Sequence, residues 1–147
     1  MESKTSEWYE VAFRYEKTLE DGSEKTVTEQ YVVEALSFTE AEQRILKELG
    51  QYVRGEYYVK AIKKAVYKEV FFENDKKEEK WFKTKLQFIT IDEKTGKEKR
   101  FNVIYLVQSN SLIAVCKAID KIMVDSVHDY ESVSVQTTKI VEVYPHE

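Results

Sequence analysis

Trp8-Tyr9-Glu10-Val11-Ala12-Phe13-Arg14-Tyr15-Glu16-Lys17-Thr18-Leu19-Glu20-Asp21-Gly22 decides how this chain is read. Tyr9, Val11, Phe13 and Tyr15 alternate with Glu10, Ala12, Arg14 and Glu16. That period of two predicts a half-buried strand from Trp8 to Thr18. Asp21-Gly22 then turns the chain, because Gly accepts positive φ without a steric penalty. The same pattern returns further on. Trp81-Phe82 echoes Trp8-Tyr9, Phe88 echoes Tyr15, and Lys94-Thr95-Gly96 supplies the second turn.

The echo continues outward. Tyr31-Val32-Val33 recurs as Tyr105-Leu106-Val107, Ser37-Phe38 as Ser111-Leu112, Ile45 as Ile119, and Glu69-Val70-Phe71 as Glu142-Val143-Tyr144. Matches in one order at near-constant spacing indicate an internal duplication. The copies span about 8–73 and 81–145, joined by a charged linker over 74–80. Each copy reads strand, strand, helix, strand. Val27 to Ala35 is the return strand of the first.

Ser37-Phe38-Thr39-Glu40 is a capping box, and Phe38, Ala41, Ile45, Leu46 and Leu49 form one apolar helical stripe. Gly50 closes that helix. The second helix starts at Ser111 and turns Leu112, Val115, Cys116, Ile119, Ile122 and Met123 inward. Two long strands follow the helices, Tyr57 to Phe72 and about Tyr130 to Tyr144. In each copy the expected order is second, first, third strand, with the third antiparallel to the first. The fold expectation is therefore α+β: two β-β-α-β repeats in one domain of residues 1–147, with mixed sheets, two helices and a pseudo-twofold axis.

Composition narrows the function. The 147 residues are 42% hydrophobic, 34% charged and 13% aromatic, with only 4 Gly and 1 Pro. The net charge of −4 excludes a strongly basic nucleic-acid binder at the level of the whole chain. That charge belongs to the first 74 residues, with 11 basic and 15 acidic groups against 12 and 12 in the rest. A single cysteine, Cys116, forms no internal disulfide, and it reads as a small buried hydrophobe. The polar start and the lack of a long apolar run point to a cytoplasmic protein without a membrane partner. Two histidines, His128 and His146, supply little for metal or acid–base chemistry, and no phosphate loop or nucleophile motif is present. The expectation is a non-enzyme with no cofactor and no metal. His128-Asp129 reads as surface rather than as a base with its orienter.

The most suggestive stretch is Lys60-Ala61-Ile62-Lys63-Lys64-Ala65-Val66-Tyr67-Lys68. On a regular strand Lys60, Lys64 and Lys68 share a face, spaced about 13 Å apart. Lys83 and Lys85 fall in phase with Trp81, as Arg14 does with Trp8. A sheet face with cations and Trp can hold phosphates and stack bases. The candidate nucleic-acid-binding residues are thus Lys60, Lys63, Lys64, Lys68, Lys83, Lys85, Arg14, Trp8 and Trp81. Lysines on exposed strand edges also discourage aggregation without binding anything. The expected partner is single-stranded nucleic acid. The alternative is a homo-oligomer, a dimer or higher assembly, that binds a host protein or sequesters a small signalling nucleotide.

Three segments carry a resemblance: residues 31–42, from Tyr31-Val32-Val33 to Ala41-Glu42; Val59-Lys60-Ala61-Ile62-Lys63-Lys64-Ala65; and residues 81–100, from Trp81-Phe82-Lys83 to Lys99-Arg100. Across about Trp8 to Tyr144 the chain resembles a domain family of unknown function from Bacteroides-type gut bacteria and their tailed phages, including crAss-like ones. The resemblance implies a phage or prophage accessory protein in the host bacterial cytoplasm. It brings no catalytic residue with it.

Overall fold

The computed structural model describes residues 2–73 and 80–146. Along the chain run β1 (Glu2–Lys4), β2 (Trp8–Thr18), β3 (Glu24–Glu34), α1 (Phe38–Gly50), β4 (Tyr57–Lys64), β5 (Glu69–Phe72), β6 (Lys80–Ile91), β7 (Glu98–Ser109), α2 (Leu112–Met123), β8 (Asp129–Thr137) and β9 (Ile140–Tyr144). This is an α+β fold with two helices and two mixed sheets. The expected charged linker lies outside the described residues apart from Lys80, which opens β6.

The chain divides into two compact units, whose limits differ from those of the sequence copies. The first unit is Ser6–Val66 with Lys139–Glu147; the second is Met1–Thr5 with Tyr67–Thr138. The first holds a sheet in the order β4-β2-β3-β9. β2 pairs antiparallel with both β3 and β4, which matches the expected order of second, first, third strand. β9 then joins β3 in parallel. Gly22, at φ 85°, closes the β2–β3 hairpin.

The second unit has the order β1-β5-β7-β6-β8. β6 pairs antiparallel with β7 and β8, β5 joins β7 in parallel, and β1 runs antiparallel to β5. β1 was not expected, since its polar sequence shows no hydrophobic period.

Each long strand of the sequence reading is two strands. Tyr57 to Phe72 breaks after Lys64, and the stretch from Tyr130 to Tyr144 breaks after Thr137. The reason lies in the partners: β4 hydrogen-bonds to β2 but β5 to β7, and β8 bonds to β6 but β9 to β3. One straight strand cannot serve two different sheets.

Helix α1 begins at the Ser37 cap that its sequence predicts, but the returning Glu40 bond goes to Leu36, one residue before the cap amide of a capping box. The Ser37 hydroxyl accepts from the Glu40 amide at 3.1 Å, and the Glu40 carboxylate reaches back to the Leu36 amide at 3.0 Å. Helix α2 has only the first half of this arrangement, Ser111 Oγ accepting from the Ala114 amide at 3.1 Å.

Ala41, Ile45 and Leu49 of α1 pack on Tyr9, Val11, Phe13, Tyr31 and Val33. Val115, Ile119 and Met123 of α2 pack on Phe82, Leu86, Phe88, Tyr105 and Val107. Full burial of each Val, Leu, Ile or Met among these contributes roughly 1.5–3 kcal/mol. The inward line is narrower than the sequence stripe. Cys116 is exposed, because it sits one residue, about 100° of helix turn, beyond Val115. Leu112 and Phe38, both at first helical positions, are exposed as well.

Candidate nucleic-acid interface and a carboxylate-lined cavity

The nine candidate residues fall into two sets, one in each unit. Trp8, Arg14, Lys60, Lys63 and Lys64 belong to the first unit; Lys68, Trp81, Lys83 and Lys85 belong to the second.

In the first unit, among the described residues, β4 is an edge strand paired only with β2. Its lysines do not share a face. The register passes from Ala12↔Ala61 to Phe13↔Val59, so Lys60 is a bulged residue with no counterpart on β2. Lys63 stands opposite Glu10, on the face away from α1, and its ammonium lies 3.3 Å from the Glu10 carboxylate. Lys64 stands opposite the core residue Tyr9, on the α1 face, and pairs with Glu7 at 3.2 Å. A bulge shifts alternation by one residue, which sequence periodicity cannot reveal. Arg14, half-buried, donates to the Thr28 hydroxyl at 2.9 Å.

In the second unit Lys68 precedes β5, and its amide donates to the Ile104 carbonyl at 2.8 Å. Lys85 of β6 is the cross-strand partner of Ile104, so Lys68 and Lys85 flank this residue of β7 from its two opposite edges. Lys83 and Lys85 are half-buried and in phase with Trp81, as expected.

The aromatic half of the candidate set is corrected. Trp8 is 1% exposed and Trp81 2%. Phe72 meets Trp81 edge-on at 5.5 Å. Rings this deeply buried offer no face for a base to stack on. Their placement at strand starts, where the alternation is weakest, left this unreadable from sequence.

The remaining polar groups are modest. His128 stacks on Phe88 at 5.8 Å and stays exposed. Among the described residues no group of three or more His, Cys, Asp or Glu side chains is placed to hold a metal, and no helix is long and apolar enough to cross a membrane.

Sequence reasoning missed a cavity of about 470 Å³ within the second unit. Phe71, Phe88 and Tyr105 line it beside Met123, and Glu69 and Asp125 supply carboxylates. Burial, followed by the Glu69 charge, raises the pKa of the Tyr105 phenol. No signal in the sequence joins Glu69 to Asp125, since strand pairing alone brings β5 to the helix-bearing sheet.

Tyr31 of the first unit donates to the Glu29 carboxylate at 3.2 Å and stacks on Tyr144 at 6.1 Å. Burial and the neighbouring carboxylates push the pKa values of Tyr15 and Tyr144 up to about 12, and that of Tyr31 higher still.

No curated protein and no solved structure matches this chain. A match to the family described as Domain of unknown function (DUF4494) extends over residues 7–146, nearly the whole chain that builds both units, and the protein belongs to that family.

Proposed function

We propose that this protein is a non-enzymatic binding module that contacts the phosphates of single-stranded nucleic acid through edge strand β4. The observation that carries the reading is the run of exposed ammonium groups on an unshared strand edge: Lys60, lifted out of the ladder by its bulge, then Lys63 and Lys64. With both indoles buried, the contact is electrostatic and carries no base stacking. Glu7 and Glu10 compete with phosphate for Lys64 and Lys63, so the affinity is low and strongly salt-dependent. Lys68, Lys83 and Lys85 form a separate, lesser set. The duplication proposed from the sequence is supported by two bulges 73 residues apart, at Ala12/Phe13 and Lys85/Leu86. A phage or prophage accessory role in the host cytoplasm completes this reading.

Fluorescence anisotropy with a labelled oligo-dT at low salt tests it. Three lysine contacts predict a log–log salt slope of about −2. The triple variant Lys60→Glu/Lys63→Glu/Lys64→Glu abolishes binding. Wild-type protein that stays unbound at tens of micromolar overturns the proposal.

A second reading is self-association through β8. This edge strand carries no lysine, and Val133, its own bulged residue, is 51% exposed. Its charges, Asp129 and Glu131, lie in its first three residues, and the uncharged stretch from Ser132 to Thr137 leaves an edge open to a second strand. Light scattering that reports only monomer at high concentration removes that reading.

A further inference from the structure

We propose that the cavity of the second unit is a binding site for an organic cation, an ammonium group carried on an apolar stem. The site is distinct from the β4 edge, and its chemistry is of opposite sign.

Four features converge. First, the floor is aromatic. Phe71, Phe88 and Tyr105 are each only 6% exposed, yet all three line the open space. Phe71 and Tyr105 meet edge to face at 5.2 Å, so their rings stand at a steep angle and hold each other in place. Ring faces attract cations through the aromatic quadrupole. Second, the charged groups lining the cavity are both carboxylates: Glu69, half-buried at the start of β5, and Asp125, exposed just past α2. No lysine or arginine is among the described lining residues. Third, Ile122 and Met123, the last residues of α2, also line the cavity. The C-terminal end of a helix dipole is its negative end, although the Lys121 and Met123 carbonyls already accept from the Val124 and Ser126 amides. Fourth, the size fits: about 470 Å³ lies within the range of small-molecule sites and exceeds the needs of a bare metal ion.

The same features reject an anion. A nucleotide phosphate placed here would face two carboxylates and a helix C-terminus, with no donor cation in the lining. A neutral aromatic compound would gain the floor but not the charge. The cation is thus selected by the pairing of Glu69 and Asp125 with the rings beneath them.

The test uses the whole protein and three matched probes: 2-phenylethylamine, 2-phenylethanol and phenylacetate. Amide chemical shifts in two-dimensional NMR follow each titration at low salt and neutral pH. The expected result is saturable binding of the amine, with shifts centred on β5, the end of α2 and the turn after it. The alcohol binds about tenfold more weakly, the factor for one charge-assisted contact, and the acid does not bind. Glu69→Gln and Asp125→Asn each weaken the amine about tenfold while leaving the alcohol unchanged. Both positions are at least partly exposed, so folding is retained and is checked by thermal unfolding. A capped lysine amide, run beside the amine, separates the two sources of such a group. Tighter lysine binding assigns it to a partner protein's side chain, and tighter amine binding to a free metabolite; both support the cation. Equal binding of amine and alcohol, unchanged amine binding in the Glu69→Gln/Asp125→Asn double variant, or no saturation in the low millimolar range overturns the proposal.

Discussion

The Ala65 amide donates to the Trp8 carbonyl at 2.8 Å, and 73 residues later the Thr138 amide donates to the Trp81 carbonyl at 3.2 Å. Each bond follows the last residue of an edge strand, where the chain leaves one unit for the other. The indoles at these crossings are among the largest buried side chains of the protein. Replacing Trp8 or Trp81 by Ala is expected to cost about 3–5 kcal/mol, from lost burial and the cavity left behind. Urea unfolding measures the loss. Wild-type tryptophan emission should be blue-shifted, poorly quenched by acrylamide and unchanged by single-stranded DNA.

Arg44 holds the C-terminal segment to the first unit. Its guanidinium donates to the Tyr144 carbonyl at 3.2 Å, to the Pro145 carbonyl at 3.0 Å and to the Glu34 carbonyl. The His146 amide donates to the buried Glu34 carboxylate at 2.7 Å, and the His146 imidazole lies 3.0 Å from the Glu40 carboxylate. Arg44→Met keeps the stem and removes the donors. A loss of about 1.5–3 kcal/mol is expected, the range for hydrogen bonds from a charged group. Hydrogen exchange should accelerate most in β9. Uniform acceleration across both sheets would contradict this role.

Tyr15, Tyr31 and Tyr144 set an alkaline limit. Burial raises each phenol above its ordinary value of 10, most strongly at Tyr31, and the neighbouring carboxylates add to the shift. Above pH 10 the unfolded chain releases these protons while the folded chain retains them. The folded state then binds more protons, so stability falls as pH rises. Full stability is expected below pH 10, with loss through about pH 12, the folded value of Tyr15 and Tyr144. Urea melts across pH 8–12 and phenolate absorbance at 295 nm check this. Tyr31→Phe should flatten the decline.

Cys116 should react in the native state. It is exposed on α2, although its neighbour Val115 is fully buried. One equivalent of a thiol reagent is expected to titrate without denaturant. Cys116→Ala should change stability by less than about 0.5 kcal/mol, as for other surface substitutions. A thiol that reacts only after unfolding would refute the placement.

Much of the fold was legible. The Trp8–Thr18 strand, both hairpin turns and the Ser37 cap follow from local pattern, because each depends on residues close together in the chain. The site was less legible. Lys60, Lys64 and Lys68 look like parts of one regular face, but a bulge at Lys60 shifts the phase and the strand ends at Lys64. Trp8 and Trp81 are chemically equally suited to a wet face or a buried one. Glu69 and Asp125 lie 56 positions apart, with nothing between them to announce a shared cavity.

The sequence by itself determined the hairpin strands, both helices, where they turn, and which residues alternate, since backbone sterics and hydrophobic period act locally. Tertiary structure alone decided that β5 joins β7 and β9 joins β3, each leaving the strand that precedes it in the chain for another sheet. Pairing energy at a sheet edge depends on the partner's backbone and not on chain proximity. Two equally apolar segments can therefore exchange edges without any mark in their composition.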